Sequence, residues 1–192
     1  MATSQLATRD WEGIALPTPG TFDLDVVHTT IGFVARHMMV SKVRGRFGEF
    51  SGSVTIAEDP LESTAEAVIK TASVDTGVAD RDAHLRSEDF FAAEKFPEMI
   101  FRTTRITGHS GDRITALGEL TIRDVTKEIE LKVEYEGFQR SPWGQDVFGF
   151  AISAELDREA FGLTWNQALE AGGVMVGKKI KIEIEGEAIR RS

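Results

Sequence analysis

The sequence predicts an all-β protein of about eight antiparallel strands, closed as an up-and-down barrel or folded as a sandwich. Three observations predict it. Apolar residues recur with period two along most of the chain, as on a strand with one buried face. Turn chemistry such as HSGD at 109–112 and SPWGQD at 141–146 separates the alternating segments. Stretches with helical spacing are few and short, so the strands have mostly one another to pack against.

Residues 1–19 carry little periodicity, end at the Pro/Gly punctuation of PTPG and read as an N-terminal arm, with Trp11 positioned to dock on the body. The remainder, 20–192, reads as one domain. Strands are expected at 20–25, 43–56, 63–75, 98–107, 112–122 and 147–157, and the alternation is cleanest in two further segments. In EIELKVEY, Ile129, Leu131, Val133 and Tyr135 oppose Glu128, Glu130, Lys132 and Glu134. In KKIKIEIE, Ile180, Ile182 and Ile184 alternate with Lys181, Glu183 and Glu185. Such half-solvated strands belong to antiparallel sheets. Two interruptions read as helical: 29–39, where Ile31, Val34, Ala35 and Met38 fall near helical spacing, and 78–95, with Ser87 as an N-cap followed by Glu88 and Asp89.

The inward faces are small at their centres. The strand through 112–122 would present Ile114, Ala116, Gly118, Leu120 and Ile122, and the strand at 63–75 would present Ala67, Ile69, Thr71 and Ser73. An eight-stranded barrel is either filled by its side chains or holds one small ligand, and small central residues favour the ligand. The 12 phenylalanines, Phe148 and Phe150 among them, are the side chains that could fill the gap instead.

Bulk properties narrow the function. A chain of 192 residues suits a single core, and its net charge of −9 disfavours nucleic acid and anionic membranes, which recruit clustered Lys and Arg. No run approaches the roughly 18 apolar residues of a membrane span, and the opening MATSQLATRDWEG has neither a basic nor an apolar leader region, so a cytoplasmic protein is expected. The absence of cysteine removes disulfides, thiolate nucleophiles and the usual structural zinc sites.

Little in the motifs points to chemistry. His28, His37, His84 and His109 show no metal-binding spacing, and DRDAH reads as the solvated face of a helix, on which Asp82 would point away from Asp80 and His84. His28 with Asp25, or His84 with Asp80, could be drawn as acid–base pairs but read more simply as capping or surface pairs. There is no GxSxG nucleophile elbow, and GGVMVGKK lacks the Ser or Thr and the spacing of a phosphate loop.

Longer stretches resemble a known family. GTFDLDVVHTTIGFVARHMMVSKVRGRFGEFSG is similar to the opening of the YceI-like, polyisoprenoid-binding proteins, with their G-T-[YF] strand, D-x-x-H-[ST] turn and V-[RK]-G-x-F segment. SVDTGVADRDAHLRSEDFFAAEKFPEMIFRTT resembles the succession S-[VI]-D-T, R-D-x-H-L and F-F-x-x-x-x-[YF]-P, and GELTIRDVTKEIEL and LDREAFGL resemble later blocks. The resemblance spans about residues 19–189. It implies an eight-stranded antiparallel barrel of lipocalin type with short helices between strands, an internal tunnel for a long isoprenoid or fatty chain, no established reaction, and a homodimer. The matching motif residues are His28, Thr29, Asp75, Thr76, Arg81, Asp82, His84 and Leu85. Asp75 and Thr76 are expected to cap the helix and Arg81 to answer an acidic partner. Many relatives carry a secretion signal that is not seen here, and many have an acidic residue where this chain has Lys178.

The expectation is therefore a non-enzymatic binder or carrier of a long apolar molecule, such as a polyisoprenoid, an isoprenoid quinone or a fatty acid or amide, with no cofactor and no metal. The expected wall is Phe33, Met38, Phe47, Ile69, Phe90, Phe91, Phe101, Ala116, Phe148 and Phe150, with His28, Arg81 or His84 meeting the head group. Two alternatives remain open at this point: an enzyme that cyclises or isomerises a prenyl or polyene substrate, and a stress-response structural protein with a packed core.

Overall fold

The computed structural model describes residues 7–192. The first described element is a hairpin. Strands β1 (Thr8–Trp11) and β2 (Ile14–Pro17) pair in antiparallel fashion around Glu12 and Gly13, both at positive φ (49° and 89°). Two residues in that conformation turn the chain with the twist of the flanking strands. The segment expected as an unpatterned arm thus carries a β-hairpin, in which Ile14 and Leu16 are buried.

The barrel follows from alternation, with one complication. Its first three strands are each bent into two pieces: β3 (Gly20–Leu24) with β4 (Thr30–His37), β5 (Ser41–Phe47) with β6 (Phe50–Ile56), and β7 (Thr64–Lys70) with β8 (Val74–Asp75). The next five are long and continuous: β9 (Glu98–Ser110), β10 (Arg113–Ile122), β11 (Val125–Arg140), β12 (Asp146–Asp157) and β13 (Val176–Arg190). Antiparallel pairing runs β3–β6–β7–β9–β10–β11–β12–β13, and β13 returns to β3, closing eight strands into an up-and-down barrel. Beyond the bends, β4 continues along the same edge of β13, β5 along β4, and β8 along β5.

The bend between β3 and β4 shows how the ladder is kept. From Ala188↔Leu24 to Glu185↔Thr30, two residues of β13 face five of the bend. Thr29 fills the break: its Oγ1 donates to Glu187 O at 3.3 Å and accepts from Glu187 N at 3.2 Å. The Thr29 side chain lies where a Cβ on Gly186 would be, so Gly186 has to be bare.

Helix α1 (Ala79–Arg86) and the turns after it leave from β8 and return to β9. Arg86 donates to Ala72 O (2.8 Å) and Val74 O (3.1 Å), and Thr71 Oγ1 donates to Phe96 O at 2.8 Å, tying the segment down at both ends. No helix among the described residues is long and apolar enough to cross a membrane.

Three local expectations are corrected. Residues 29–39 form the strand β4 and its turn, not a helix, because pairing to β13 and β5 on both edges overrides the local spacing. The second helix is confined to Ala79–Arg86. Ser87 is its C-cap, not the N-cap of a further helix, and its hydroxyl donates to His84 O at 2.7 Å. Asp75 and Thr76 do not cap α1, whose N-cap Val78 makes no side-chain bond. Instead the buried Asp82 Oδ1 accepts from Thr76 N (2.8 Å) and Thr76 Oγ1 (2.6 Å), so Asp82 is not a solvated charge.

Candidate functional site

Closing eight strands leaves a space that only inward side chains can fill. Here they do not fill it. A cavity of about 350 Å3, with an almost wholly apolar lining, runs inside the barrel. Its wall is the set of alternating positions read from the sequence: Ile129, Leu131, Val133 and Tyr135 from β11, and Ile180, Ile182 and Ile184 from β13. Phe148, Phe150, Ile152, Ala154 and Leu156 from β12 all line it. The eight residue steps from Phe148 to Leu156 correspond to about 26 Å of strand, or about 20 Å along the axis of a barrel with tilted strands.

The narrow side chains sit at mid-depth. Ala116, Leu131 and Ala154 form one buried cluster with Phe101 and Ile182 against it. Gly118 does not widen the cavity as its size suggests, because the Phe101 ring from the neighbouring strand lies over it. Gly45 is covered in the same way by the ring of Phe33.

Each pole is covered differently. At one, Leu85 of α1 together with Phe90, Phe91, Phe161 and Leu163 reaches the lining. Phe91 stands edge-on to Phe47 at 5.6 Å, and Phe47 lies 5.7 Å from Phe33. At the other, Trp11, Leu16 and Pro17 of the β1–β2 hairpin contribute to the lining. Three side chains hold that hairpin through polar contacts: Tyr135 Oη donates to Ala15 O at 2.8 Å, the Arg9 guanidinium donates to the carbonyls of Ala57 and Glu58, and His109 Nε2 meets Glu12 at 3.0 Å while its ring lies 4.0 Å from Trp11. Burial pushes the Tyr135 phenol up to about 12, so it is a proton donor at neutral pH.

Of the residues singled out from the sequence, Phe33, Phe47, Ile69, Phe90 and Phe91 lie on the lining toward the α1 pole. Phe101 and Ala116 lie at its middle, and Phe148 and Phe150 toward the hairpin. Met38 does not belong with them. It sits at the β4–β5 turn with φ of 50° and is 43% exposed, because the turn carries it out of the strand's inward register. Phe96 also stands apart from the lining, beneath the cations of Lys95 and Arg123.

The three expected head-group residues stand outside the lining. Arg81 Nε donates to Thr76 Oγ1 at 2.7 Å and Nη2 to Thr76 O at 3.0 Å, a local tie where a carboxylate was expected. His84 Nε2 meets Asp89 at 2.8 Å, and its ring is edge-on to Phe90 and Trp165, behind the cavity wall. His28 lies at the β3–β4 bend with Nδ1 at 2.7 Å from Asp25 and 3.9 Å from Glu187. The hydrogen bond to Asp25 raises the His28 pKa and holds that of Asp25 low, as in an ion pair. Although Asp25, His28 and Glu187 cluster closely enough to hold a metal ion, they do so at the surface, where this ion pair accounts for them.

Several residues of the lining escaped the sequence, and a buried cation is among them. Arg158, just past β12, borders the cavity at the α1 pole and is 5% exposed. Flanked by Asp157 and Glu159, it reads as a surface charge, and only the turn that folds Phe161 and Leu163 inward shows otherwise.

Comparison with known proteins agrees with this geometry. Residues 22–188 match the family model described as YceI-like domain. A UPF0312 protein of Staphylococcus epidermidis is 42% identical over 168 residues, covering 86% of this chain and 95% of that protein. Among solved structures, a Campylobacter jejuni YceI protein is similar at 29% identity and a TM-score of 0.71, covering 82% of this chain and 90% of that one. A polyisoprenoid-binding domain from Saccharophagus degradans, implicated in plant cell wall breakdown, shares the fold at 14% identity and a TM-score of 0.64, covering 88% and 98%.

Proposed function

The chain belongs to the YceI-like family, and from that premise we propose that it is a non-enzymatic binder of a long apolar chain, which it sequesters or carries inside the barrel. The observation that carries the reading is the continuous apolar cavity of about 350 Å3, a size typical of small-molecule sites. A packed structural barrel has no use for such a void, since empty volume costs stability. The shared fold of the polyisoprenoid-binding domain supports the same reading.

Shielding is the mechanism. Each methylene moved from water into the cavity contributes about 0.8 kcal/mol, so a chain of ten methylenes brings about 8 kcal/mol before the cost of immobilising it. Phe33, Phe47, Ile69, Phe90, Phe91, Phe101, Ala116, Phe148 and Phe150 supply the wall. The acid–base pairs His28–Asp25 and His84–Asp89 both stand outside the lining, which favours a binder over a catalyst of prenyl cyclisation or isomerisation.

Native mass spectrometry of the purified protein, followed by organic extraction, tests the proposal. A ligand-sized mass increment, and recovery of a long-chain lipid in near-stoichiometric amount, is expected. Recovery of no lipid, with no uptake of added polyprenol, quinone or fatty acid, would overturn it.

A further inference from the structure

Arg158 is a buried cation whose side chain borders the α1 end of the apolar cavity. It has five N–H donors, and the protein uses four of them. Nε donates to Gly177 O at 2.9 Å, and Nη1 to Leu163 O at 2.6 Å and Trp165 O at 2.9 Å. Nη2 makes a single long bond, to Val176 O at 3.3 Å. One N–H of Nη2 has no partner among the described residues.

All four acceptors are neutral carbonyls. They satisfy hydrogen bonds but bring no formal charge, and burying an uncompensated charge is costly. The flanking carboxylates are engaged elsewhere. Glu159 pairs with Lys178 at 2.8 Å, and Asp157 accepts from Glu159 N at 2.9 Å. No carboxylate lies within 4.0 Å of the Arg158 nitrogens among the described residues. Burial lowers the Arg158 pKa and outweighs the nearby charges of Glu159 and Asp157, which raise it, although a guanidinium stays protonated across the physiological range.

Four carbonyls, two from the start of β13 and two from the loop before it, also hold the guanidinium still. A fixed fork costs little further ordering when an oxygen anion arrives. We propose that Arg158 receives the anionic oxygen head of the bound chain, a carboxylate or a phosphate, at the α1 pole, with the hydrocarbon running toward the β1–β2 hairpin. The inference rests on the binding function proposed above and adds the class of head group and the direction of the chain.

The test compares probes of one chain length on the delipidated protein: hexadecanoate, hexadecyl phosphate and hexadecanol, each displacing a fluorescent polyene fatty acid. The wild type is expected to prefer an anion over the alcohol by roughly 10- to 100-fold, as a charge-assisted hydrogen bond allows. The better of the two anions then identifies the head group as carboxylate or phosphate. In Arg158→Met the ratio of anion to alcohol affinity is expected to fall to near one.

Because Arg158 also ties its loop, R158M requires a readout that does not depend on its folding. That readout is the Arg158 Nε–H resonance of 15N-labelled wild type, expected to shift on adding hexadecanoate and to stay in place with hexadecanol. Equal affinity for all three probes, or an anion preference that survives in folded R158M, overturns the role of Arg158 and leaves the binding function standing. Binding of none of them removes both.

Discussion

Ala116→Phe separates a cavity that holds a ligand from one that is merely a packing defect. Ala116 is buried at mid-depth beside Leu131 and Ala154, and its methyl borders the void. A benzyl group projected from it displaces on the order of four methylenes of a bound chain, which at about 0.8 kcal/mol each comes to about 3 kcal/mol, or roughly 200-fold in affinity. The same ring fills empty volume in the unliganded protein. Taking roughly 24 cal/mol per Å3 of cavity and a gain of about 60 Å3, stability rises by about 1.4 kcal/mol, a Tm increase of about 3–6 °C in a chain of this length. Displacement titration and thermal unfolding of delipidated protein measure the two effects. The reasoning fails if a folded A116F binds the chain within about threefold of wild type. It fails equally if the variant loses several kcal/mol of stability, because the methyl would then face packed atoms.

Other outcomes follow from single contacts. Gly118→Ala drives a Cβ into the Phe101 ring and to 2.7 Å from Arg102 O, so a loss of about 1–3 kcal/mol is expected in chemical denaturation, partly restored by adding Phe101→Leu; an unchanged midpoint would contradict the packing described. The Asp25–His28 pair is protonation-dependent. Since the His28 pKa is raised from 6.5, its contribution is fully present below that value and is lost as pH rises through the folded-state pKa, while the contribution of Asp25, lowered from 3.8, is lost as pH falls through its own. An NMR titration of His28 in Asp25→Asn should show the pKa returning toward 6.5. The chain has a single tyrosine, so absorbance at alkaline pH reads Tyr135 alone. Its ionisation is expected near about 12, with stability falling as pH rises from 10.0 toward that value, and a titration midpoint near 10.0 would show the phenol to be solvated.

Most of the barrel was legible because a strand with one wet face announces itself. The run from Glu128 to Tyr135 and the run from Lys178 to Glu185 place every inward residue correctly. The strand β4 was not legible because both its faces are partly covered: Ile31 is buried inside and Val34 outside, which erases the two-residue alternation and leaves a spacing that mimics a helix. The turns after α1 were misread for a related reason. Ser87, Glu88 and Asp89 have the composition of a helix start, but the chain goes on to place Ala92 at a φ of 48°, a conformation helices do not use. The wall of the candidate site was readable as a set of phenylalanines and small residues. Arg158 was not, since nothing local distinguishes a cation held by four carbonyls from one in water.

The pairing of β5 has a consequence for how the molecule meets its own copies. Its partner β8 covers only Arg46 and Phe47, leaving the ladder from Ser41 to Gly45 open on that side, while β4 occupies the other. An open ladder invites a second chain to add a strand. Along this stretch Lys42, Arg44 and Arg46 are exposed at every second position, Arg44 paired with Glu183 and Arg46 with Asp75, so a strand added here would have to pack against long charged side chains and their ion pairs. The part of the barrel wall that sheet closure leaves unprotected is thus guarded against runaway association by its charged side chains.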